Sequence, residues 1–212
     1  MKIQSRVALT GLALILLGFA VGLQTKAAIG VSLVNSTFIS ISTITGLKFG
    51  TVSNIVNSFF ILLQIFILRK DINISLVFQA ILMVTFGFIT NFFIYDVFTF
   101  DITSYPMRVV LFTISYLIIP FALVCLKELD IASMPIEGFC KLLEDKNMMS
   151  FSNARLAVDI VSLIATVSIV LVFNIPSPIR EGTIISLFLL NYMIRFYIKM
   201  LQPTFEKLGL AH

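Results

Sequence analysis

Six stretches of this chain run for close to twenty residues with almost no charge: 7–24, 51–68, 74–95, 107–126, 154–173 and 182–201. A helix needs roughly 20 mostly apolar residues to cross the hydrocarbon of a bilayer. Each such stretch must satisfy its own backbone hydrogen bonds there, which selects α-helices. The composition agrees: 58% of the 212 residues are hydrophobic and only 12% charged. A water-facing domain of this size could not hide so much apolar surface. The same balance excludes a disordered chain and a nucleic-acid-binding domain. With Cys125 and Cys140 as its only cysteines, the chain has no disulfide framework. Its lipid-facing partner is the bilayer itself.

The net charge of +4 is first of all an orientation signal. With the N-terminus inside, eleven of the fifteen Lys and Arg fall on the inner face; Lys26, Lys48, Arg108 and Arg180 fall outside. Cytoplasmic loops carry the excess of Lys and Arg, so both termini are expected in the cytoplasm. The basic start with Lys2 and Arg6 has five more spans behind it, which favours a retained first helix over a signal peptide. Two linkers complicate the count. Residues 27–46 are apolar but rich in Ser, Thr and Gly, and 131–147 are too charged to cross lipid. Letting 27–46 cross alone gives ten inner cations against five. Both linkers instead read as short re-entrant or interfacial helices, 31–46 and 133–146, with Ser32 and Ser133 as caps and Pro135 in a first turn.

Sliding the chain along itself by 102 residues lays the first span and its linker on the fourth, and the second span on the fifth. Phe19 then meets Phe121, Ala20 meets Ala122, Ile29 meets Ile131, Phe49 meets Phe151 and Asn57 meets Asp159; a two-residue gap lays Asn91-Phe92-Phe93 on Arg195-Phe196-Tyr197. Residues 1–100 and 101–212 share the order span, short helix, span, span. Three crossings is an odd number, so the second copy enters upside down relative to the first, an arrangement that many transporters use for alternating access. The expected fold is an all-α membrane protein of six spans, built as two inverted three-helix repeats with one short helix each.

Asp159 is the one acidic residue well inside an expected span, where a carboxylate is costly unless paired or hydrated. Arg155 stands one turn earlier on the same face. Arg195 lies at a matching distance from the inner end of the last span, so an Asp159–Arg195 pair is possible. These charges suit an ion or proton relay or an anion site, or a packing ion pair between helices. Asn57 is singled out among the span amides because the repeat places it opposite Asp159. Lys26 and Ser32 stand at the start of the first short helix, whose N-terminal dipole would favour an anionic group if it re-entered. Gly11, Gly18 and Gly22 give the first span a small-residue face. No HExxH, GxSxG, phosphate-binding glycine loop or thiol–imidazole cluster is present, and His212 is the only histidine, so neither an enzyme nor a cofactor or metal is expected.

Several short motifs resemble the YczE/YyaS/YitT family of small bacterial integral membrane proteins: Lys26-Ala27-Ala28-Ile29-Gly30-Val31-Ser32, Thr45-Gly46-Leu47-Lys48-Phe49-Gly50-Thr51, the Arg155 to Asp159 spacing, and Arg180-Glu181-Gly182-Thr183-Ile184-Ile185-Ser186. The resemblance implies a multi-pass protein of the bacterial cytoplasmic membrane, and it supplies no substrate or catalytic residue. The functional expectation is a secondary transporter or channel for a small solute, anionic or amphipathic, with Asp159, Arg155, Arg195, Asn57, Lys26 and Ser32 as site candidates. The competing expectation is a non-transporting accessory protein that binds another membrane protein.

Overall fold

A computed structural model describes residues 3–69, 74–129 and 133–207. Lys2, Lys70, Ile131 and His212, which entered the sequence reading, lie outside the described residues. The described residues are helical and contain no strand: α1 (Ile3–Ala27), α2 (Leu33–Thr45), α3 (Phe49–Leu68), α4 (Ser75–Asn91) running into a π-helical turn (Phe92–Val97), α5 (Tyr105–Leu129), α6 (Pro135–Asp145), α7 (Phe151–Phe173) and α8 (Glu181–Lys207).

Five stretches are long and apolar enough to cross a membrane: Gln4–Ala27, Phe49–Leu68, Ser75–Val97, Tyr105–Leu129 and Phe151–Phe173. The sixth expected span falls on α8, which has the length, 27 residues. Asn191, Arg195 and Lys199 interrupt its apolar run, and it is not among the five. The two linkers do form short helices. At 1.5 Å per residue the 13 residues of α2 reach about 20 Å, short of the roughly 30 Å of hydrocarbon, so α2 is no seventh span.

Local chemistry sets these boundaries. Ser32 Oγ accepts a hydrogen bond from the Asn35 amide at 3.2 Å and starts α2. Gly46 ends it in the left-handed region at φ 72°, where a side chain would be strained. Ser150 caps α7 in the way Ser32 caps α2, with its Oγ bound by the Asn153 amide. The start of α6 departs from expectation. Its cap position is Met134, one residue beyond the expected Ser133, and no side chain closes it. Pro135 sits at the first turn as expected; it has no N–H to satisfy.

The packing places α1 and α5 at the centre. Arg6, at the start of α1, donates from Nε and Nη2 to the Leu129 carbonyl at the end of α5, at 3.0 and 2.6 Å. Ala27, at the end of α1, is buried with Phe112 and Tyr116 near the start of α5. The two helices are therefore antiparallel, and Ala20 and Ala122 at their middles are fully buried. Around them α4 lies on α1 and α8 on α5, while α2, α3, α6 and α7 close a ring by packing α2 on α3, α3 on α6, α6 on α7 and α7 on α2. Of α1's most apolar window 56% is buried, against 11% for α7. One is a core helix and the other the most lipid-like surface of the five.

Contacts recur at the spacing of the sequence offset. The Phe19 and Phe93 rings meet edge to face at 5.3 Å, and their counterparts Phe121 and Tyr197 do so at 5.6 Å. Phe60 of α3 meets Phe139 of α6 at 5.4 Å, and at the counterpart positions the Thr37 hydroxyl of α2 donates to the Ser162 carbonyl of α7 at 3.0 Å. Of the small residues in α1, Gly18 lies against Ile89 and Gly22 against Phe93 and Phe98, whereas Gly11 faces open space.

Candidate functional site

Three charged side chains meet where α6 crosses the start of α7. Arg155 and Asp159 are one helical turn apart, and Arg155 Nη2 lies 3.4 Å from Asp159 Oδ1. Arg155 Nη1 lies 4.0 Å from Glu137 Oε1 of α6. The side chains are 27%, 19% and 41% exposed, for Arg155, Asp159 and Glu137 in turn. None of the three is fully enclosed by protein. One guanidinium against two carboxylates leaves a surplus of negative charge, which favours a proton or cation over an anion at this point. Beside them Cys140 is fully buried; burial pushes its thiol up to about 11, against the downward pull of Arg155. Glu144 Oε1 accepts from the Phe151 amide at 3.0 Å and fastens the end of α6 to the start of α7.

The other expected site residues lie apart from this cluster. Arg195 is exposed on α8, which packs on α5, and no Asp159–Arg195 pair forms among the described residues. Matching distances from the inner ends of two helices did not make those helices neighbours. Asn57 is buried in α3, and its Nδ2 donates to the Ser53 carbonyl at 2.9 Å and to Ser53 Oγ at 3.2 Å. Its amide is held within its own helix, and no hydrogen bond joins it to Asp159. Ser32 serves as the cap of α2, which engages its hydroxyl with backbone. Lys26 occupies the last turn of α1, where a cation complements the negative end of that helix.

Two polar nodes join helices elsewhere; Gln64 and Gln79 of the first are span amides of the kind that bond across helices, whereas the second gave no signal in the sequence. At the first, Gln64 of α3 and Gln79 of α4 pair their amides in both directions, at 3.0 and 3.3 Å, and Gln64 Nε2 also donates to the Pro135 carbonyl of α6 at 3.1 Å. At the second, Thr37 Oγ1 lies 3.0 Å from Thr166 Oγ1 and 3.3 Å from the Leu33 carbonyl. Shifting Gln64 and Pro135 by 102 residues gives Thr166 and Leu33, which are linked here only through the Thr37 hydroxyl. Next to the second node the Ser36 and Ser40 hydroxyls are fully buried without a hydrogen-bond partner. An open groove of about 380 Å³, lined by Phe100, Asp101, Ile102, Thr103, Ser104, Met107 and Leu111, holds none of the expected site residues. Among the described residues no three His, Cys, Asp or Glu are grouped to hold a metal ion.

Residues 4–199 match a family of unknown function, DUF6198, and the chain belongs to that family. No curated protein and no solved structure matches it.

Proposed function

We propose that this chain is a secondary transporter or channel for a small solute in the bacterial cytoplasmic membrane, with six spans arranged as two inverted repeats and both termini in the cytoplasm. The observation that carries the reading is the recurrence of equivalent ring contacts within the two halves, whose first helices α1 and α5 run antiparallel. Repeat-equivalent ring pairs at Phe19–Phe93 and Phe121–Tyr197, around the antiparallel α1 and α5, are what an inverted duplication would leave behind. Halves related in this way can exchange two openings around a site near mid-membrane. The resemblance to YczE/YyaS/YitT proteins points the same way. In this reading α8 is the sixth span, with Arg195 and Lys199 extended toward its cytoplasmic end.

Asp159, balanced by Arg155 and partly exposed, is the proposed relay. The local charge surplus favours a proton or cation as the species it handles, so an anionic or amphipathic solute would bind elsewhere and be coupled to it. The experiment is flux into proteoliposomes, after thermal-shift screening of the purified protein against small anions, amino acids, thiols and lipophilic metabolites has identified a stabilising solute. Asp159→Asn should keep the folded elution profile and lose coupled uptake; full uptake by that variant would remove the relay.

An accessory role in binding another membrane protein is the second reading. The broad apolar exposure of α7, including Leu156, Val161, Ile164 and Leu171, favours it. Co-purification of a stoichiometric membrane partner, with no solute that shifts the melting temperature, would bring it forward.

A further inference from the structure

We infer that Gln64 and Gln79 are the latch of a gate, and that the structure holds this gate shut while its repeat counterpart, between α7 and α8, stands open. The inference rests on the two-halves reading above and names the residues that would switch it. The halves correspond in most of their packing: α1 with α4 as α5 with α8, α3 with α6 as α7 with α2, and α2 with α3 as α6 with α7. They differ at one seam. Helix α4 packs along α3 and reaches α6, whereas among the described residues α8 makes no comparable contact with α7 or with α2.

The closed seam is fastened along its length. Gly50 lies against the Gly87 backbone, Asn54 against Gly87, and Ser58 Oγ lies 3.9 Å from Met83 Sδ. The reciprocal Gln64–Gln79 pair then joins α3 to α4, and the bond from Gln64 to the Pro135 carbonyl adds α6. Gly138 lets α6 come this close, since a Cβ there would strike the Gln79 amide. In a low-dielectric interior these amides have few other partners, so the latch makes the seam two-state. At the counterpart seam the equivalents are Thr166 and Thr183. Thr166 is bound to Thr37, and Thr183 Oγ1 accepts from the Arg180 amide at 3.3 Å, so neither bonds the other. A molecule whose halves exchange roles would bring α8 onto α7, moving Thr183 toward Thr166, as the Gln64–Gln79 pair parts.

The test is disulfide capture in membranes. Thr166→Cys and Thr183→Cys are placed together in a chain with Cys125→Ser and Cys140→Ser, oxidised with copper phenanthroline, and read as the cross-linked peptide by mass spectrometry. We expect slow capture with the latch intact and about fivefold faster capture when Gln64→Met and Gln79→Met remove the amides while keeping side-chain volume. Gln79→Met alone serves as the second variant should the double one fail to fold. Absence of capture, or capture at the same rate with and without the latch, overturns the inference. The readout needs neither solute nor flux, so a protein that carries nothing could still exchange its seams, and a carrier could still fail this test.

Discussion

At the scale of single residues, the α6–α7 charges set partly exposed ion pairs beside a fully buried thiol. Arg155 is shared between Asp159 at 3.4 Å and Glu137 at 4.0 Å, and all three side chains keep some exposure. Pairs of this kind contribute about 0–1 kcal/mol to stability. Glu137→Gln should therefore shift the detergent melting midpoint only slightly; a collapse of the fold would show that the triad is structural cement rather than a functional site. Cys140 lies beside the same charges with no exposure, and its thiol is raised from 9.0 to about 11. A raised folded-state value stabilises the protein fully below pH 9.0, and that contribution is lost as the pH climbs through about 11. At pH 8 the thiolate fraction is about a hundredfold lower than in an unperturbed thiol. Maleimide labelling of Cys140 in Cys125→Ser protein should be slower by at least that factor when folded than in detergent-denatured chain. Equal rates would mean that the thiol is neither buried nor raised.

At the scale of elements, α2 and the α3–α4 seam give the clearest tests. Ser32 closes the first turn of a helix only 13 residues long, so Ser32→Ala should cost about 1 kcal/mol, visible as a lower melting midpoint that Ser32→Asp restores. Gly50 meets the Gly87 backbone with no room for a Cβ, and Gly50→Val should cost about 1–3 kcal/mol by forcing the seam apart. A neutral Gly50→Val would refute tight packing of α3 on α4. The existence and type of nearly every helix were legible because runs of about twenty apolar residues have few alternatives. Boundaries set by one backbone bond were less so: α6 begins at Pro135 after Met134, since Ser133 makes no cap. The π-helical turn was illegible for the same reason. It positions Tyr95, whose hydroxyl accepts from the Phe49 amide at 3.0 Å, close behind Asn91, whose Oδ1 accepts from the Gly50 amide at 2.7 Å. Two side chains from another helix thus cap α3, a long-range arrangement that no local pattern in 49–51 announces.

At the scale of the whole molecule, depth and neighbourhood separate what could be read from what could not. The offset of 102 residues foretold that Phe19 and Phe121 occupy like positions, and both take an aromatic partner from the last helix of their half. It could not say which helices touch, and the Asp159–Arg195 pair failed on that ground: α8 lies on α5, away from α7. Even a seam closed on the pattern of α3 and α4 would not make that pair. There Asn91 meets Gly50, so Arg195 would meet the level of Ser152, nearly two turns from Asp159. The same offset gives the most direct check on orientation. Thr45 and Asn147 are counterparts, both exposed, at the ends of α2 and just beyond α6. In two inverted repeats they face opposite sides of the membrane, and in the proposed orientation, with both termini in the cytoplasm, Asn147 is on the cytoplasmic side. A membrane-impermeant maleimide added to intact cells should label Thr45→Cys and spare Asn147→Cys, in a chain lacking Cys125 and Cys140, until the cells are opened. Labelling of both from one side would mean that α1 to α4 enter the membrane in the same sense as α5 to α8, and neither the inverted repeat nor an exchange of seams would survive it.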